Sequence, residues 1–132
     1  GTELANSWQT CLAMSVDKPL AEASARRDYD ANYACGTVLG MIAEGAAQTN
    51  GGRDFFDFLA ALVAANREDA GGDGIVSVDD WLAQLVAESG DEELAAQLKA
   101  FVYRGTDDPQ RDLCAMLARV DRAAPGCAVV TE

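Results

Sequence analysis

The sequence predicts an all-α protein, a compact bundle of about six or seven helices with a short extended tail at the C-terminus. Three observations carry this expectation. Apolar residues recur at helical spacing in one segment after another, the breaks between segments coincide with glycine, proline and capping signals, and one short run alone has strand character. The 132 residues suit a single helical domain, 1–132, large enough to bury roughly two thirds of the surface its unfolded chain would expose.

Leu4, Trp8, Cys11 and Leu12 make one helical face in the first segment, and Asp17 followed by Pro19 marks a short second helix before Tyr29. From Asp30 to Gln48 the residues are small and apolar, which predicts a central helix. Gly36 and Gly40 stand one turn apart there, a spacing that admits a second helix closely. Gly51-Gly52 breaks the chain, and Phe55, Leu59, Leu62 and Val63, joined by Phe58, form the next apolar face. Ser77 with Asp80 reads as a capping box ahead of Trp81, Leu82, Leu85 and Val86. Ser89 with Glu92 repeats that signal ahead of Leu94, Leu98, Phe101 and Val102, a helix that Gly105 should end. Asp108-Pro109 opens the last helix, whose face is Leu113, Met116, Leu117 and Val120. After Pro125-Gly126 the run from Cys127 to Val130 has strand character and would need a partner.

Composition narrows the function. Apolar residues make up 49% of the chain and charged ones 24%, the balance of a folding sequence. The formal charge of −12 opposes binding to nucleic acid or to an anionic membrane. The least charged run, residues 33–43, is about half of the roughly 20 residues that a membrane helix needs. The first residues lack a basic-then-apolar signal pattern, which in a fragment would say nothing of the parent. Cys11, Cys35, Cys114 and Cys127 are too far apart for a zinc ribbon or a CxxC pair. Two readings stay open for them: disulfides in an exported protein, with a Cys114–Cys127 bridge pinning the tail to the last helix, or four reduced thiols packed as small apolar residues. The first favours a periplasmic or secreted location.

Residues Asp69 to Asp80 align with the twelve-residue loop of an EF-hand. Asp69, Asp73 and Gly74 occupy matching positions, Val76 and Ser77 fit, and helices flank the segment. Gly71 stands where a side-chain ligand belongs, and Asp80 replaces the bidentate glutamate. A degenerate calcium-binding loop at 69–80 is therefore the alternative to an acidic, glycine-rich connection followed by a capped helix.

Absence of histidine excludes Ser-His-Asp and Cys-His catalysis within the chain. Four segments nevertheless form an ordered set: Tyr33-x-x-Gly36 near the start of an apolar helix, Gly51-Gly52 before Phe55-Phe56, the helix start Val76-Ser77-Val78-Asp79-Asp80-Trp81, and Phe101-Val102-x-x-Gly105-Thr106. Their order and spacing, from about Tyr29 to Pro109, resemble the C-terminal helical region of gluzincin aminopeptidases, the leukotriene-hydrolase-like and glycyl aminopeptidase families. The resemblance implies a fragment of a larger zinc peptidase. Its helical domain would wall the substrate cleft, its partner would be the N-terminal catalytic domain of the same parent, and a peptide substrate would be met through that parent.

The resemblance assigns Tyr33 the role of catalytic tyrosine, donating a hydrogen bond to the developing oxyanion. The chain departs from the pattern at Cys35, where the family often has lysine. It also lacks the His-Glu-x-x-His motif that holds the metal, so zinc is implied for an active parent and no metal or cofactor for this chain. The acidic surface would favour a substrate's free amino group. A non-catalytic interaction domain from an inactive parent is a further alternative.

Overall fold

The computed structural model describes residues 2–127, and these form six α-helices, as an all-α bundle requires. They are α1 (Thr2–Met14), α2 (Tyr29–Thr49), α3 (Phe55–Ala65), α4 (Val78–Ser89), α5 (Glu92–Tyr103) and α6 (Pro109–Arg119). The segment after Pro19 forms a single 3-10 turn, Leu20–Glu22, where a short α-helix was expected. Of the expected strand at 127–130, residues 128–130 lie outside the described residues. Among the described residues the one β-type contact is an isolated bridge between Val16 and Thr106, reinforced by Asp17 N–H donating to the Thr106 carbonyl at 2.7 Å.

The 21-residue α2 is the central element and packs against α1, α3, α4 and α6. Its small side chains explain this position. Ala34, Cys35, Val38, Ile42, Ala43, Ala46 and Ala47 are buried around much of the helix, so neighbours reach its backbone from several directions. Cys11 and Cys35, both fully buried, form a disulfide that fastens α1 to α2. Trp8 and Cys11 face the core as their spacing predicts, whereas Leu4 lies outside the described side chains.

The close helical approach sits elsewhere than expected. A Cβ built at Gly36 meets nothing within 4 Å, and one at Gly40 makes ordinary contact with the Phe55 ring at 3.8 Å. The crowded position is Gly45, where a Cβ would stand 2.6 Å from Val120 Cγ2. Residues beyond the end of α6 therefore lie directly on the α2 backbone.

Local chemistry sets the helix starts. Ser77 and Asp80 form the expected capping box of α4. Asp54 and Asp57 form a second one at α3. Asp108 caps α6 with Pro109 in its first turn. At α5 the cap is Asp91, whose carboxylate accepts from Leu94 N–H at 3.0 Å; Ser89 belongs to the last turn of α4 and donates to the Leu85 carbonyl. The α3 face is also rotated from its expected phase: Phe58 and Leu62 are buried while Val63 is exposed. In α5, in α6 and at the residue after it, Leu94, Leu98, Phe101, Val102, Leu113, Met116, Leu117 and Val120 are buried as their periodicity requires.

Candidate functional site

Since no element covers Gly36 and only the Phe55 ring approaches Gly40, the α2 surface between Asn32 and Glu44 becomes the floor of an open groove. One part, of about 470 Å³, has Leu20, Ala21 and Ser24 on one side, Asn32, Gly36, Leu39 and Gly40 as floor, and Phe55, Val76–Val78 and Trp81 opposite, with Leu98 and Val102 behind. A second part, of about 490 Å³, shares Asn32, Gly36, Gly40 and Phe55 and extends past Tyr33, Thr37 and Met41 to Glu44. The two are thus continuous along α2.

Aromatic packing makes one wall firm. The Phe58 and Trp81 rings meet at 5.2 Å with a 59° tilt, and Phe55 stacks on Phe58 at 6.4 Å. The opposite lip is joined to the floor through Asn32 Nδ2, which donates to Ser24 Oγ at 3.0 Å. Few polar groups face the interior, and Ser77 Oγ is already engaged with Asp80.

Tyr33 lies at the mouth of this groove, in the second turn of α2, and is 79% exposed. Its backbone carbonyl accepts from Thr37 Oγ1 at 3.1 Å. Its ring is therefore not part of the core. Cys35, two residues on, turns the other way into the core and its disulfide. All four segments of the gluzincin-like pattern contribute to the groove: Tyr33 and Gly36, Phe55, Val76, Ser77, Val78 and Trp81, and Val102.

The 69–80 loop folds on itself. The N–H groups of Gly72 and Gly74 donate to the carbonyls of Arg67 and Asn66, each at 2.9 Å, so the glycine run follows the backbone of the α3 end. Asp69 pairs with Arg67 at 2.8 Å, Asp73 accepts from Ile75 N–H at 2.9 Å, and Asp80 caps Ser77. Each of these three carboxylates faces a local partner. Among the described residues, no three His, Cys, Asp or Glu side chains converge in a group that could hold a metal ion.

Sequence reasoning missed one polar centre. Glu88, in the last turn of α4, is buried and accepts from Asn50 Nδ2 at 2.8 Å, Arg53 Nε and Nη2 at 3.1 Å, and Gln84 Nε2 at 3.0 Å. Burial alone would raise its pKa. The hydrogen bonds from Asn50 and Arg53, the Arg53 charge and the Gln84 bond outweigh that effect and hold the carboxyl below its ordinary value. The one signal available in the sequence was an acid at a helix C-terminus, where the dipole disfavours it and a partner is therefore needed. This cluster lies outside the groove lining and locks the α2–α3 connection to α4.

No protein-family model, curated protein or solved structure matches the chain.

Proposed function

We propose that this bundle is a non-catalytic helical domain of a zinc aminopeptidase-like parent, in which its groove face walls the substrate cleft and presents Tyr33 to the reacting carbonyl. The supporting observation is convergence: residues from all four segments of the gluzincin-like pattern, spread over some seventy positions, line one continuous groove with an exposed tyrosine at its mouth. Core packing does not require this. The ring of Tyr33 buries little and gives the bundle little, so its position suits a contact outside the chain.

The zinc of such a parent does not fit here. The chain has no histidine, and its described carboxylates do not converge. No metal-dependent step is assigned to these residues. What Tyr33 can supply is a phenolic donor aimed at an oxyanion forming on a substrate held by the other domain.

The test is Tyr33→Phe in the intact parent. Loss of one preorganised oxyanion donor should lower kcat by about 10² to 10³, while the melting temperature stays put because the ring packs against little. Unchanged turnover would remove Tyr33 from the mechanism and leave the groove as an interaction surface.

A further inference from the structure

We propose that Asn50 is a self-modifying site, converted by backbone cyclisation and hydrolysis into aspartate and isoaspartate, and that the conversion opens the Glu88 lock between the α2–α3 connection and α4. It depends neither on a parent's activity nor on what the groove holds.

The sequence supplies the reactants. Of the four asparagines, Asn6, Asn32, Asn50 and Asn66, only Asn50 precedes glycine. Succinimide formation is attack by the next residue's backbone nitrogen on the asparagine side-chain carbonyl carbon, and a side chain on that next residue obstructs it. Ser7, Tyr33 and Arg67 each place one there, and Gly51 places none.

The fold makes the pair available. Asn50 and Gly51 are exposed and follow the last residue of α2, with Gly51 at φ +72°. Among the described residues no acceptor takes the Gly51 N–H, so ionising it breaks no hydrogen bond. Asn6 and Asn32 lie inside α1 and α2, where the helical ladder fixes the backbone. Asp73-Gly74, which can close the same ring, has its Gly74 N–H held by the Asn66 carbonyl at 2.9 Å. The bond from Asn50 to Glu88 restrains the carboxamide, but at an exposed helix end it opens locally without global unfolding.

Water is the sole co-reactant. Hydroxide takes the Gly51 amide proton, the nitrogen bonds Asn50 Cγ, and the side-chain nitrogen leaves as ammonia with a proton from water, regenerating hydroxide. Water then opens the ring at the side-chain carbonyl to give aspartate, or at the backbone carbonyl to give isoaspartate.

The product acts on its surroundings. Asn50 Nδ2 donates to Glu88 Oε2 at 2.8 Å, and Glu88 is buried. Either product removes that donor and sets a carboxylate at position 50, while Arg53 already holds both Glu88 oxygens. The α2 dipole opposes the new charge too, since position 50 caps its C-terminus. Isoaspartate also lengthens the turn that Gly52 N–H closes on the Gln48 carbonyl at 3.1 Å. The connection ends at Asp54, next to Phe55 of the groove wall, so its release loosens that wall.

The test is incubation of the folded, oxidised chain in warm neutral buffer, followed by peptide mass analysis and isoaspartyl methyltransferase labelling. The amide-to-acid mass gain should come at Asn50 ahead of Asn6, Asn32 and Asn66, with isoaspartate among the products, and the melting temperature should fall in step. Asn50→Gln keeps a carboxamide and does not close the succinimide ring, so its melting temperature should hold through the same incubation. Asn50→Asp made directly should shift the folding equilibrium toward the unfolded state by about tenfold or more. In a Glu88→Gln background, where the carboxamide donates to the new carboxylate, that shift should shrink below about threefold.

An Asn50 that stays amide while a denatured sample converts, earlier conversion at another asparagine, or an equal fall in the Asn50→Gln chain would overturn the modification site. An Asn50→Asp shift as large with Glu88→Gln as without it would overturn the action on the lock.

Discussion

Glycines at 36 and 45 occupy one helix and have opposite requirements. At Gly36 an added methyl meets no atom within 4 Å, and at Gly45 it would collide with Val120 Cγ2 at 2.6 Å and Cβ at 2.8 Å. Replacing a mid-helix glycine with alanine removes unfolded-state freedom and gains about 1 kcal/mol where space allows. Gly36→Ala should therefore stabilise the fold by roughly 0.5 to 1 kcal/mol. Gly45→Ala has the same propensity gain set against overpacking that costs about 1 to 3 kcal/mol, and the rigid β-branched Val120 cannot rotate away cheaply. A net loss of about 1 kcal/mol is expected there. Urea unfolding of the two variants beside the parent sequence checks both signs; equal effects would mean that Val120 does not rest on α2 as described. The stability gain available at Gly36 also suggests that its absence of a side chain serves the groove.

At the scale of the element, α4 shows how a polar centre is tied into the bundle. Glu88 is anchored by Asn50, Arg53 and Gln84, and its carboxyl is held below its ordinary value of 4.5. Its stabilising contribution is therefore fully present above that value and is lost as pH falls through the lower folded-state pKa. Because the Arg53 side chain is 39% exposed, solvent screens the pair, and Glu88→Gln should cost about 1 to 2 kcal/mol near neutral pH. The gap between variant and parent sequence should narrow as pH falls below 4.5 and close once the native carboxyl becomes neutral too. Denaturant midpoints measured from pH 7 to 3 read this directly, and a gap constant over that range would show that the charge of Glu88 is immaterial.

Elements were legible where local signals agreed and obscure where tertiary packing decided. In α6, Asp108-Pro109 and the run Leu113, Met116, Leu117, Val120 point to the same helix, and both are realised. At α5 the expected cap was Ser89, and Asp91 takes that place because Ser89 is still within α4. The apolar run of α3 fits more than one helical phase, and contact with Trp81 selects the one that buries Phe58. Tyr33 was singled out through family resemblance alone. The groove was not, since its walls come from separate elements whose relative placement no local pattern encodes.

For the whole molecule, the bundle is closed at two places by covalent bonds. Cys11–Cys35 spans 24 residues and joins α1 to the central helix, and Cys114–Cys127 spans 13 and holds the segment after α6 against that helix. Restricting loops of these lengths in the unfolded chain stabilises the native state by roughly 3 kcal/mol each in the chain-entropy account. Together that is about 6 kcal/mol, comparable with the entire net stability of ~5 to 15 kcal/mol of an ordinary domain. The fold is thus suited to an oxidising compartment, where such bonds persist. The bridges differ in accessibility: Cys11 and Cys35 are fully buried, whereas Cys114 and Cys127 are partly exposed. Mild reductant should open Cys114–Cys127 first, because thiolate attack on the inner bridge requires the α1–α2 contact to part. Alkylation followed by intact-mass and peptide analysis should find no free thiol in the untreated chain, then label at Cys114 and Cys127, and label at Cys11 and Cys35 only as the fold melts. Four free thiols at the outset would remove both bridges, and simultaneous labelling of all four would show that α1 separates from α2 as readily as the tail leaves α6.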